Sequence, residues 1–166
     1  MRDYNGNVRI TEYSALNLPA KVYDPVPFDT IYSETAYYKT GKVKTAIDRR
    51  KNATAYEYDE LNRVVKVTDP LTQVIATTYD RVGNVKSVTD KRTILSENDY
   101  DEMNRLKEKR RDGLRLVTNE YDGVGNLRFV TDANGNKTEN QYNKRNLLET
   151  SIHPDTTTEK KSYDGV

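Results

Sequence analysis

The sequence predicts an all-β fold, built from antiparallel β-hairpin repeats that continue one another in a curled, spiral sheet. Three observations predict it. Tyr58, Tyr79, Tyr100, Tyr121, Tyr142 and Tyr163 recur every 21 residues, and Tyr37 extends the series one step back. Four residues after each complete copy's Tyr comes Gly41, Asn62, Gly83, Asn104, Gly125 or Asn146; six after comes Val43, Val64, Val85, Leu106, Leu127 or Leu148. Between these marks, β-branched and aromatic runs alternate with Asp, Asn, Gly and Pro, the composition of short strands joined by turns. A fixed period of this kind marks a repeat protein. A helical reading fails, because no 3.6-residue periodicity is sustained and Gly, Asn and β-branched residues interrupt every window.

Residues 1–35 read as irregular or divergent repeats. Asn5-Gly6-Asn7-Val8 has the form of a shortened copy's tail and Tyr23-Asp24-Pro25 that of a divergent copy, while Pro19, Pro25 and Pro27 cannot donate a full ladder of hydrogen bonds. Residues 36–166 read as regular tandem repeats. In the unit opened by Tyr58 and Asp59, Arg63–Thr68 is one strand, Asp69-Pro70-Leu71-Thr72 a turn and Val74–Tyr79 the second strand. Asp suits the first turn position because its carboxylate accepts backbone N–H groups, and Pro presets φ at the next. In a later unit, Asn134-Gly135 suits the positive-φ positions of a hairpin loop, and Asp112-Gly113 serves another. Asp80-Arg81-Val82-Gly83-Asn84 is a turn between units, so hairpin follows hairpin in a meander of about twelve strands spaced about 4.8 Å apart. Tyr163-Asp164-Gly165-Val166 opens a further copy.

Side-chain alternation places Ile75, Thr77 and Tyr79 on one face, as it does Val117, Asn119 and Tyr121; the intervening Ala76 and Thr78, or Thr118 and Glu120, face the other way. Each Tyr is therefore expected to pack on the aliphatic six residues later and on the Tyr of neighbouring units, with its hydroxyl reaching a solvated rim or a turn carbonyl. The adjoining Asp is expected to cap the turn. The residue nine after Tyr (Ala46, Val67, Val88 and Val130 in four copies) lies three from the aliphatic anchor, against strict alternation. A bulge, or a sheet apolar on both faces, accounts for that spacing. The residues that define the repeat are Tyr58, Asp59, Tyr79, Asp80, Gly83, Tyr100, Asp101, Tyr121, Asp122, Gly125, Tyr142 and Tyr163.

Composition limits the chemistry. With 34% hydrophobic residues, 32% charged residues and a mean hydropathy of −0.95, the chain leans toward disorder, but thirteen Tyr belong to exposed sheet instead. A net charge of +1 with interleaved signs gathers no nucleic acid. No apolar run approaches the roughly 18 residues of a membrane span, and the N-terminus lacks a signal peptide's hydrophobic segment. Cysteine is absent, so no disulfide or thiolate chemistry is available. His153, the sole histidine, sits beside Pro154 and Asp155 in a turn, and one imidazole assembles neither a catalytic triad nor a histidine metal set. Asp132-x-Asn134-Gly135-Asn136 lacks the ligand spacing and closing Glu of a calcium loop. Gly123-Val124-Gly125 belongs to a turn with no helix after it, so it is no phosphate cradle. An Asp repeated in every unit meets a structural need repeated in every unit, whereas paired-carboxylate catalysis needs one site. No catalytic residue, metal or cofactor is therefore assigned. Lys107, Lys109, Arg110, Arg111 and Arg115 form a local basic run, either a solvated strand face or a contact for a polyanion or glycan.

The unit Tyr-Asp-x-x-Gly-Asn-Leu-x-x-Val-Thr-Asp-x-x-Gly at residues 121–135, with Tyr79-Asp80 through Asp90 nearly matching it, resembles the RHS/YD-repeat family. That family includes bacterial Rhs polymorphic toxins, wall-associated proteins, insecticidal toxin complexes and the animal teneurins. The resemblance covers residues 37–166 well and 1–36 loosely. It implies a strand spiral forming a segment of a hollow β-shell, which in the bacterial toxins encloses a C-terminal toxic domain. The expected partners are then the flanking repeats and the C-terminal toxin domain of the parent chain, and the expected location is secreted or on the bacterial cell surface. Neither the segment where bacterial members cut themselves nor a toxin tail is present, so only the wall-building role carries over. The alternative is an extracellular carbohydrate- or receptor-binding module. Exposed strand edges also favour self-association.

Overall fold

The computed structural model describes residues 10–23 and 32–163; Asn5-Gly6-Asn7-Val8, Asp24, Pro25, Pro27 and Asp164-Gly165-Val166 lie outside the described residues. The described residues form β-strands and turns, with no helix. The strands before the regular repeats are β1 (Thr11–Tyr13), β2 (Pro19–Tyr23) and β3 (Tyr32–Tyr37). There follow β4 (Val43–Ile47), β5 (Ala53–Tyr58), β6 (Val64–Thr68), β7 (Val74–Tyr79), β8 (Val85–Thr89) and β9 (Leu95–Tyr100). The last six are β10 (Leu106–Arg111), β11 (Leu114–Tyr121), β12 (Leu127–Asp132), β13 (Lys137–Tyr142), β14 (Leu148–Ile152) and β15 (Thr158–Lys160). Strand order in the sheet is chain order, β1 to β15, so this is an antiparallel meander. It holds more strands than the expected dozen because the divergent N-terminal region also forms sheet. Pro19 stands there as the first residue of β2, where a missing N–H is tolerated. The described residues up to Thr77, with Thr89–Arg92, form one compact unit; Thr78–Val88 and the described residues from Thr93 onward form a second.

Each repeat tyrosine from Tyr37 to Tyr142 is the last residue of a strand, and each aliphatic anchor is the first residue of the next. The two are cross-strand partners: Tyr37 with Val43, Tyr58 with Val64, Tyr100 with Leu106, Tyr121 with Leu127 and Tyr142 with Leu148. A β-bulge follows at once. Tyr58 opposes Val64 while Glu57 opposes Lys66, which leaves Val65 without an opposite residue; Lys44, Lys107, Arg128 and Glu149 occupy the same place in other copies. The extra residue shifts parity by one, so Val67 opposes Tyr56 on the face that holds Tyr58 and Val64. The bulge thus explains the three-residue spacing.

One turn design recurs at both edges of the meander. The first residue's N–H donates to the fifth residue's carbonyl, and the fourth residue's N–H donates back to the first's carbonyl. Asp59–Arg63, Asp80–Asn84, Asp101–Arg105, Asp122–Asn126 and Asn143–Leu147 form it at the tyrosine edge, and Asp48–Asn52, Asp69–Gln73, Asp132–Asn136 and His153–Thr157 at the other. The fourth residue is left-handed, with φ of 61° at Asn62, 103° at Gly83 and 64° at Thr72. Asn134-Gly135 departs from the expectation, because only Gly135 has positive φ (85°), as the fourth residue of this longer turn. Asp112 and Gly113 do both adopt positive φ, 47° and 78°, in a two-residue loop between β10 and β11.

Among the described residues no apolar side chain is buried, and Ser151, at 8% exposure, is the one buried polar residue. The sheet therefore has no hydrophobic core of its own, and local backbone fit weighs heavily. Thr72 is β-branched and held left-handed, a conformation that costs roughly 1–2 kcal/mol for an L-residue. Asn fills the same turn position at Asn62, Asn104 and Asn146. Thr72→Asn is expected to raise the melting temperature by about 2–4 °C, even though it removes the Thr72 hydroxyl's bond to the Leu71 carbonyl (2.6 Å). An unchanged or lower melting temperature in a thermal scan would show that the turn is not strained.

Candidate functional site: the tyrosine edge

The ladder between strands stops earlier on one side of each strand than on the other. β10 pairs with β9 from Leu106 onward, but with β11 only from Glu108. The Leu106 carbonyl is thus left beyond the end of the β10–β11 ladder, and an unpaired carbonyl is unfavourable. Two side chains of β11 supply the donors. The Tyr121 hydroxyl donates to it at 3.0 Å and Asn119 Nδ2 at 2.9 Å. The neighbouring copies repeat the arrangement. Tyr100 (3.1 Å) and Asn98 (3.0 Å) donate to the Val85 carbonyl, and Tyr142 (2.9 Å) and Asn140 (3.0 Å) to the Leu127 carbonyl. Tyr163 donates to the Leu148 carbonyl at 2.8 Å, and Tyr37 to that of Pro19 at 2.8 Å. The hydroxyl therefore reaches a strand-opening carbonyl, not a turn carbonyl or a solvated rim. Tyr79 closes β7 in the same register. Tyr58 packs edge-on against Tyr38, with ring centroids 6.0 Å apart. Ser151 donates to Asn140 Oδ1 at 2.9 Å, which fixes that amide's orientation.

The repeat aspartates lock the turns. In Asp59, Oδ1 accepts the N–H groups of Leu61 (3.0 Å) and Arg63 (2.9 Å), while Oδ2 accepts Arg63 Nε (2.7 Å). Asp101 does the same with Met103 and Arg105. Asp80 and Asp122 hold the N–H groups of Val82, Asn84, Val124 and Asn126, and each takes its Asn amide on Oδ2. Asn143 reproduces the backbone part with Arg145 and Leu147. These donors favour the ionised form. The Arg63 N–H holds Asp59 below the usual carboxylate range, the Arg105 N–H does so for Asp101, and the Asn126 amide for Asp122.

The basic run does not form one patch. Lys109 opposes Asn98 and Val117, whereas Arg110 opposes Glu97 and Arg115, so successive residues point to opposite faces. Arg110 is enclosed by Glu108 (2.7 Å), Asp99 (2.8 Å) and Glu97 (3.7 Å), and Arg115 lies 3.4 Å from Glu108. Lys107, Lys109 and Arg111 are exposed. Lys107 lines an open groove of about 570 Å³ with Tyr100 and Tyr121, but Asp101, Glu102 and Glu120 line it too. His153 occupies the first position of a turn, where Asp stands in other copies. Among the described residues no cluster of His, Cys, Asp and Glu suited to a metal ion occurs. The Asn two residues before Tyr in three successive units was the unused signal for the carbonyl clamp.

Comparison with known proteins agrees with this geometry. Residues 37–74 match the RHS Repeat family model. No curated protein matches the chain by sequence. Among solved structures, the crystal structure of TcdB2-TccC3-Cdc42 is similar, with a TM-score of 0.62 and 16% identity over 87% of this chain and 9% of that one. The crystal structure of TcdB2-TccC3 without its hypervariable C-terminal region gives 0.58 and 17% identity over 90% of this chain and 9% of that one. The Photorhabdus luminescens Tc holotoxin pore carrying the TccC3-D651A mutation gives 0.57 and 18% identity over 73% of this chain and 7% of that one. The chain thus spans less than a tenth of the length of the chains it resembles.

Two predictions follow from the clamp and the turns. Tyr121→Phe keeps the ring that lies 4.2 Å from the Arg105 guanidinium and deletes only the hydroxyl. It should lower the urea-unfolding free energy by about 1 kcal/mol; no loss would mean the hydroxyl is dispensable. The aspartates' folded-state values lie below their unfolded ones, so their contribution is complete above the ordinary range near pH 4 and is lost as pH falls through the lowered values. The urea midpoint should hold from about pH 7 to 5 and fall steadily toward pH 2. A midpoint independent of acid would contradict the assignment.

Proposed function

We propose that this chain, a structural segment built of RHS repeats, forms part of the wall of a shell that encloses a C-terminal toxin domain of its parent protein. The observation that carries the reading is the carbonyl clamp. It joins unit to unit through the Tyr121 hydroxyl and the Asn119 amide, both donating to the Leu106 carbonyl. Such a unit extends a surface by repetition and gathers no single pocket. The fold likeness to TcdB2-TccC3 supports the same role. Its partners on this reading are flanking repeats and the enclosed domain, and its place is secreted or on a bacterial surface. A carbohydrate-binding role has weaker support, since Arg110 and Arg115 are engaged by Glu97, Asp99 and Glu108.

The test uses the parent protein with an epitope tag at its C-terminus. Under limited proteolysis the tagged region is expected to resist cleavage in the native protein. It should become sensitive when Tyr100, Tyr121 and Tyr142 are all changed to Ala. Equal cleavage rates in the two proteins, or a parent with no domain after the repeats, would overturn the encapsulating role.

A further inference from the structure

The left-handed turn position at the tyrosine edge alternates without a break: Asn17, Gly41, Asn62, Gly83, Asn104, Gly125, Asn146. Nothing in the turn's own geometry demands alternation, because Asn and Gly both occupy the site with the same backbone bonds. The reason lies in what each turn's fifth residue does to the turn after it. Arg105, fifth in an Asn-class turn, lays its guanidinium 4.2 Å from the Tyr121 ring centroid. Its Nη1 is buried there, and a methyl group built onto Gly125 would stand 3.4 Å from it. Leu18, fifth in the first Asn-class turn, lies against Gly41 in the same way, 3.7 Å from such a methyl. In the other direction, Asn84, fifth in a Gly-class turn, donates through Nδ2 to Asn104 Oδ1 at 3.1 Å. Asn126 does the same to Asn146 Oδ1 at 3.2 Å.

The two contacts are complementary and not interchangeable. A methyl at the following turn's left-handed position would meet Arg105 or Leu18 at ordinary contact distance, so it is the part of an Asn side chain beyond its Cβ that has to displace them. An amide fifth residue needs a following turn that offers an acceptor there. We infer that the turn edge from Gly83 to Asn146 is a two-class recognition surface, on which a unit favours a neighbour of the opposite class, so that the building block of this stretch is a 42-residue pair of units. The Gly41 turn, whose fifth residue is Lys42, precedes the Asn62 turn without the amide contact. This inference concerns how units choose neighbours and stands whether or not the wall encloses a toxin domain.

A double-mutant cycle tests it on the full chain. Gly125→Asn gives the turn a residue that Asn62, Asn104 and Asn146 show to be tolerated, so folding should survive. Thermal unfolding is expected to show a loss of about 3 °C or more in the native background and a clearly smaller loss in the Arg105→Ala background. Equal losses would overturn the pairing rule. Deletions give an independent reading. Removing residues 101–121 places the Gly83 turn before the Gly125 turn, like beside like, whereas removing 101–142 places it before the Asn146 turn. The shorter chain should melt higher than the longer one, or fold where the longer does not. If the 21-residue deletion melts as high or higher, the array is built of single units and the inference fails.

Discussion

A backbone that must satisfy itself without a buried core is the condition on which this structure rests. A single-layer sheet keeps water on both faces, so apolar burial supplies only partial stabilisation and every strand end becomes a place where hydrogen bonds can be lost. The ends are the weak points because adjacent ladders do not finish level. At Leu106 the pairing to β9 has begun while the pairing to β11 has not. The Tyr and Asn of the next strand extend that ladder with side-chain donors. The periodic Tyr is thus a backbone partner first and an apolar surface second.

That role also explains the bulge. A strand opening on its aliphatic residue must place it opposite Tyr and still keep the next inward residue on the Tyr face. One unopposed residue, Val65 or Arg128, achieves both. Bulge, ladder offset and clamp are therefore one device seen from three sides. The aspartate completes it from the turn, since its Oδ1 accepts two backbone N–H groups of the turn while its Oδ2 accepts the fifth residue's side chain. Each of these bonds is local or reaches only the next hairpin, so the design propagates without reference to distant sequence.

What the sequence revealed and what it concealed divide along that same line between local and non-local. The strand ends at Tyr58, Tyr100 and Tyr121 and the strand starts at Val64, Leu106 and Leu127 were readable because a recurrent backbone event leaves a recurrent residue. The Asp turns were readable for the same reason. The acceptor of the Tyr hydroxyl was not, because the Leu106 carbonyl is freed by a ladder offset that no local pattern encodes. Asn98, Asn119 and Asn140 recur visibly two residues before Tyr, but the carbonyl they serve does not. The basic run around Arg110 is divided by strand alternation: Lys107, Lys109 and Arg111 are exposed, while Arg110 lies on the face opposite to Lys109, where Glu97 and Asp99 arrive from the preceding strand. The Asn134-Gly135 pair suggested a two-residue loop, but the bonds from Asn134 and Asn136 to Asp132 select the longer turn.

The same economy accounts for a fold shared at 16–18% identity. Only a few positions in each 21-residue unit, the Tyr, the Asp, the left-handed residue and the strand-opening aliphatic, are bound to backbone needs. The remaining side chains stand on two wet faces where charge, length and polarity can change at little energetic consequence. A catalytic site asks the opposite of a sequence, since it fixes many unlike residues at one place and none elsewhere. An architecture whose constraints are few, identical and evenly distributed is suited to extending a surface by repetition, and its faces are left free to vary.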